Sequence, residues 1–167
     1  MTVIMITGGV RSGKSRRAED RARAFPGRPV HIATAEAHDK EMELRIAAHR
    51  LRRGNDWIEY ETPLDLAPIL VRTDGGGARM VDCLTVWLSN LFHSDRAWEA
   101  ELADLTRALT HQRSPVVLVT NEVGLGIVPD NPLARAFRDA AGIMNSAVAA
   151  IADEVEFAVA GLVMKLK

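Results

Sequence analysis

Residues 8–15 read Gly8-Gly9-Val10-Arg11-Ser12-Gly13-Lys14-Ser15, directly after the apolar run Val3-Ile4-Met5-Ile6-Thr7. The pattern G-x-x-x-x-G-K-S is that of a phosphate-binding loop, and each residue type has a physical task in it. Gly8 and Gly13 let the backbone turn tightly and bring its N–H groups up to phosphate oxygens. Lys14 reaches the β- and γ-phosphates, and the Ser15 hydroxyl is the expected Mg²⁺ ligand. Residues 15–25 contain strong helix formers until Pro26-Gly27 stops them, so a helix N-terminus faces the anion. Strand, loop and helix in this order predict a nucleoside triphosphate site on an α/β fold.

The rest of the chain supports that architecture. Short apolar runs near residues 29–34, 78–83 and 115–120 alternate with helical segments, which predicts a mostly parallel sheet with helices on both faces. At 167 residues a single nucleotide-binding catalytic domain over 1–167 is expected. The formal net charge of −1 gives no basic field for nucleic acid. With Cys83 as the one cysteine no internal disulfide forms, which suits a reducing cytoplasm, and neither a secretory leader nor a membrane span is expected.

Three further stretches bear on chemistry. Residues 39–53 (DKEMELRIAAHRLRR) predict a helix with Asp39 as its cap, acidic residues early and arginines late. Leu44, Ala47, Ala48 and Leu51 form one apolar stripe, expected to be the buried one. Arg45, His49, Arg52 and Arg53 share another, which reads either as a solvated basic face or as phosphate-binding arginines around a nucleophilic imidazole. Asp82 ends the apolar run Met80-Val81, the place of the second nucleotide motif, whose carboxylate helps position Mg²⁺; apolar-apolar-Asp is common by itself. Glu122 opens a loop at a strand's C-terminal end, where ligands bind in open α/β sheets; it suits a metal-bound water, a substrate or a helix cap equally. Asn131-Pro132 starts a long helix, residues 153–160 read as a last strand and 161–167 as a tail.

Several strings together resemble the bifunctional adenosylcobinamide kinase / adenosylcobinamide-phosphate guanylyltransferase family of cobalamin biosynthesis. They are the phosphate loop with Arg16; Ile32-Ala33-Thr34-Ala35; the 39–50 helix; Val81-Asp82-Cys83-Leu84-Thr85 with Trp87-Leu88-Ser89-Asn90-Leu91; Thr120-Asn121-Glu122-Val123-Gly124 with Ile127-Val128-Pro129; and Leu133-Ala134-Arg135 with Phe137-Arg138-Asp139. The chain departs from that pattern at Ser146, where Gln is expected, and at Val163, where Pro is usual.

The resemblance implies a RecA-like parallel sheet and two reactions. A phosphoryl group passes from ATP or GTP to the adenosylcobinamide hydroxyl; GMP then passes from GTP to that phosphate, releasing pyrophosphate. His49 matches the family's GMP-bearing histidine. The implied nucleotide contacts are residues 8–15, Ala33, Thr34, Ala35, Arg50, Leu51, Arg52, Arg53, Glu61 and Asp82, with Lys14 catalytic and Mg²⁺ at Ser15 and Asp82. The family also implies a homotrimer. Two other readings compete. A simple small-molecule phosphate-loop kinase has no use for His49. A GTP-binding switch requires an N-K-x-D string, which is absent, and a D-x-x-G, whereas Asp82 is followed by Cys83-Leu84-Thr85.

Overall fold

The computed structural model describes residues 2–36 and 40–167; within residues 40–53, it describes the side chains of residues 40, 44, 47, 48, 50, 51 and 53. Elements run β1 (Val3–Gly8), α1 (Lys14–Arg23), β2 (Val30–Ala33), α2 (Lys40–Arg53), β3 (Ile58–Glu61), α3 (Leu66–Arg72) and β4 (Arg79–Asp82). They continue with α4 (Leu84–Phe92), α5 (Trp98–Thr110), β5 (Val116–Val119), α6 (Pro132–Ile151), β6 (Glu154–Val159) and β7 (Leu162–Lys165). Asp39, expected to cap α2, lies outside the described residues.

The strands form one seven-stranded sheet in the order β3-β2-β4-β5-β1-β6-β7. All pairs are parallel except β6 with β7. The α/β expectation holds. Central strands are apolar without alternation because both faces are covered. Val3, Met5, Val81, Val116 and Leu118 pack in one core with residues of α3, α4, α5 and α6. Ile4, Ile6, Met80, Val117 and Val119 pack on the other side with Ala18 and Ala22 of α1.

Two expectations change. The 161–167 segment is no tail: Leu162–Lys165 pairs antiparallel with β6. Its turn is Ala160-Gly161, both left-handed with φ of 51° and 79°, the geometry of a tight two-residue hairpin. Four apolar or long residues without alternation give no strand signal until a partner strand is known. The apolar stripe of α2 is not buried either. Leu44 is 66% and Leu51 86% exposed, and Ala47 and Ala48 are also exposed, whereas Arg53 from the cationic stripe is buried. Periodicity states which residues share a face, not whether anything covers that face.

Candidate active site

The phosphate loop joins β1 to α1 at the C-terminal edge of the sheet. Gly8 has φ of +148° and lies so close to β6 that a Cβ there would stand 2.2 Å from the Ala158 carbonyl oxygen. Gly13, the N-cap of α1, has φ of +97°. Both positions require glycine. Lys14 is 7% exposed; its ammonium donates to the Gly9 carbonyl and to the Ser12 hydroxyl at 3.4 Å. The lysine therefore curls back over its own loop, with its charge beside the Gly9 carbonyl and the Ser12 hydroxyl.

Neighbouring elements brace this loop. The Gly161 N–H of the β6–β7 turn donates to the Ser12 carbonyl at 3.2 Å. On α1, Arg17 grips the buried Glu156 of β6 with two hydrogen bonds of 2.7 Å. Arg21 bonds Glu156 at 2.6 Å and Glu154 at 2.8 Å. The Arg17 hydrogen bonds, opposed by burial, hold the Glu156 carboxyl below the usual glutamate range. Nothing in the sequence pattern singled out this pairing, since neither strand nor helix periodicity reports which helix lies over which strand.

Asp82 ends β4, and β5 alone separates β4 from β1. At about 4.8 Å per strand, Asp82 stands about 10 Å across the edge from the phosphate loop. In register it faces Ala33 of β2 and Val119 of β5. Its carboxylate makes no hydrogen bond or ion pair among the described residues. The charges of Asp82 and Lys14 both reach the buried Cys83 thiol. Burial, reinforced by Asp82, pushes that thiol up to about 11, so Cys83 is a core residue rather than a nucleophile.

Thr34 is fixed against Cys83: its hydroxyl accepts from the Cys83 N–H and donates to the Cys83 carbonyl, each at 2.8 Å. The Asn90 amide donates to the Thr34 carbonyl at 2.8 Å. Ala33, Thr34 and Asp82 thus line one stretch of the sheet edge, with Ala35 just beyond.

At the β3 edge lies α2. His49 and Arg52 fall outside the residues whose side chains are described. Leu51 is exposed. Arg50 pairs with Glu61 at 2.9 Å, both exposed. Arg53 turns inward to Glu59 at 3.0 Å, and Glu59 also accepts from His31 Nδ1 at 2.7 Å. Burial opposes the charged Glu59, yet hydrogen bonds from His31 and Arg53 bring it down to about 2.

Beneath the loop after β5 lies a buried polar network that sequence reasoning missed. Thr120 donates to Asn145 at 2.7 Å, Asn145 donates to the Asn121 carbonyl at 3.1 Å, and the Asn121 N–H donates to Thr85 at 2.7 Å. Asn145, a polar residue at helical spacing from Ala141 and Val148 on the apolar stripe of α6, was the available signal. The Glu122 carboxylate accepts from the Gly124 N–H at 2.7 Å within its own loop, and the N-cap of α6 is Asn131.

Comparison with known proteins adds the following. Residues 4–166 match the family model described as cobinamide kinase / cobinamide phosphate guanyltransferase. The bifunctional adenosylcobalamin biosynthesis protein CobP of Pseudomonas aeruginosa is 46% identical over 167 residues, covering 98% of this chain and 96% of the relative. CobU of Salmonella typhimurium, similarly named, is 38% identical over 188 residues, covering 99% of each chain. Among solved structures, the flagellar accessory protein FlaH of Methanocaldococcus jannaschii superposes with a TM-score of 0.53 at 11% identity, over 99% of this chain and 78% of that one. An ATPase of a bacterial type III secretion system gives 0.57 at 12% identity, over 93% of this chain and 50% of that one. These structural likenesses concern the fold.

Proposed function

Because the chain belongs to the cobinamide kinase / cobinamide phosphate guanyltransferase family, we propose that one domain over 1–167 carries both reactions along a single sheet edge. The supporting observation is the phosphate loop itself, with Lys14 curled over it and Asp82, without a partner among the described residues, on the next strand but one. In the first reaction the loop N–H groups and Lys14 hold the β- and γ-phosphates of ATP or GTP. The adenosylcobinamide hydroxyl attacks the γ-phosphorus, and the nucleoside diphosphate leaves with the electron pair of the broken P–O bond.

In the second reaction an imidazole nitrogen of His49 attacks the α-phosphorus of GTP. A P–N bond forms, and pyrophosphate departs with the bonding electrons. The corrinoid phosphate then displaces the imidazole, giving adenosylcobinamide-GDP and restoring His49. β2, which leads to α2, lies three strand spacings from β1, about 14 Å. A triphosphate reaching from Lys14 toward α2 therefore passes Asp82 and Thr34. Arg50, Leu51, Arg52, Arg53, Glu61 and residues 33–35 are proposed contacts for that nucleotide. Arg53 would act through its backbone or its hold on α2, because its guanidinium is engaged by Glu59.

Mg²⁺ fits this site: the Ser15 hydroxyl and the Asp82 carboxylate are oxygen donors without a partner among the described residues, the ligand chemistry that a hard cation takes. When bound, the ion would neutralise charge on the triphosphate, held by Ser15 and by Asp82 through water. We extend the proposal to a homotrimer and a cytoplasmic location, the latter supported by a lone, buried cysteine. Among the described residues no helix is long and apolar enough to cross a membrane.

Two variants separate the reactions. Lys14→Ala should lower corrinoid phosphorylation by at least 100-fold. His49→Ala should abolish GMP transfer to corrinoid phosphate while leaving phosphorylation measurable. Guanylyl transfer retained in His49→Ala would reduce the protein to a phosphate-loop kinase.

A further inference from the structure

The loop after β5 carries a concentration of exposed apolar side chains that the nucleotide chemistry does not use. Leu125 is 81%, Ile127 98% and Val128 62% exposed, and Leu133 on the first turn of α6 is 61% exposed. Val10, on the phosphate loop, is 78% exposed. Singly such residues need no explanation; four of them within residues 125–133, next to a loop hydrogen-bonded to the phosphate loop, mark a contact surface.

Their position says which contact. The loop is rooted on the phosphate loop, since the Glu122 N–H donates to the Gly8 carbonyl at 3.1 Å. Leu125 and Ile127 follow Glu122 by three and five residues, so they stand at most ~11 and ~18 Å from that root. Thr120 and Asn145, buried beneath, hold the root to α6. Farther along the chain, Leu133 forms a wall of a cleft of about 290 Å³ also lined by Phe92, Phe137, Ser89 and His93. His93 Nδ1 is engaged by the Ser89 carbonyl at 2.7 Å, and Nε2 has no hydrogen-bond partner among the described residues.

We infer that this strip, from Val10 through Leu125 and Ile127 to Leu133, is where the corrinoid ring of the acceptor rests; the inference stands on the reading of the acceptor given above. A corrinoid is a broad flat ring, fringed with methyl groups and carboxamides, whose reacting hydroxyl sits at the end of a short amide-linked arm. The arm must enter the phosphate loop while the ring stays outside it. An apolar surface rooted on the phosphate loop, with Leu125 and Ile127 no more than ~18 Å from that root, satisfies both conditions. The cleft is far smaller than the ring and takes one of its peripheral carboxamides, with His93 Nε2 and Ser89 as polar partners. Apolar contact holds the ring, and a few polar groups orient it, as in other small-molecule sites.

The test is the double variant L125S/I127S. Both side chains are largely in solvent, so the fold survives the change. Three quantities are read: the dependence of phosphorylation on adenosylcobinamide concentration, the mass gained from GTP without corrinoid, and the mass of the assembly by light scattering. The expected result is a KM for adenosylcobinamide at least tenfold higher, with the GMP adduct formed as before and the assembly mass unchanged. An unchanged KM overturns the inference. So does a raised KM accompanied by a smaller assembly, because the strip would then be covered by a second copy of the chain. Absence of corrinoid phosphorylation in the unmodified protein would remove the functional reading on which the inference stands, whereas turnover with an unchanged variant KM removes only the inference.

Discussion

A β-carbon at Gly8 would meet the Ala158 carbonyl oxygen at 2.2 Å, and that oxygen belongs to the main chain of β6. Neither partner can rotate away, so Gly8→Ala must push β1 and β6 apart or unwind the loop. The expected cost is about 2–3 kcal/mol in stability, together with loss of nucleotide affinity. Gly9→Ala is the matched control, since a Cβ there meets nothing within 4 Å. Thermal unfolding and nucleotide titration of the two variants check this, and equal stability would contradict it. The loop was legible in the sequence because its residues carry their roles locally. Asn131 was legible for the same reason: its side chain accepts from the Ala134 N–H at 2.7 Å, ahead of Pro132. Arg53 was not. Its helix periodicity grouped it with other cations, but its burial is decided by Glu59, a residue on β3 whose approach no local pattern encodes.

At the scale of elements, α2 illustrates how an exposed helix is attached. Among its described side chains only Arg53 is buried, at 4% exposure, so the Arg53–Glu59–His31 cluster fixes the end of the helix that bears His49. Glu59 is held below its ordinary value of 4.5, at about 2. A carboxylate whose folded value is depressed adds stability above its unfolded value and loses it as pH falls toward the folded value. The stabilisation, on the order of 2 kcal/mol after allowance for solvent screening, is therefore present above about pH 4.5 and lost between about pH 4.5 and 2. Glu59→Gln should remove that part of the acid dependence. It should also cost about 3 kcal/mol at neutral pH, because Arg53 is left buried without its counter-charge. With α2 loosened, GMP transfer should fall more than phosphorylation. Denaturant unfolding across pH, with both activities measured on the same variant, checks the prediction; equal losses in both would deny Glu59 a positioning role. The β7 strand shows the opposite limit of sequence reading. Its turn needs two left-handed residues, and Ala160-Gly161 supplies them without the usual Asn-Gly signature.

For the molecule as a whole, the sheet order explains how one edge can serve two reactions. β1 supplies the phosphate loop, β4 supplies Asp82, β2 leads to α2, and β5 lies between β1 and β4 with the apolar loop at its end. The alternation of strands and helices was readable in the sequence, because parallel strands buried on both faces are continuous apolar runs. The strand order was not, since it depends on which crossover each helix makes. The measurement that tests the central claim most directly is the intact mass of the protein after incubation with GTP and Mg²⁺ and no corrinoid. The account predicts a stoichiometric gain of one GMP, absent in His49→Ala and lost again when corrinoid phosphate is added. An unmodified mass with nucleotide bound would contradict it and leave a kinase without a guanylyl intermediate.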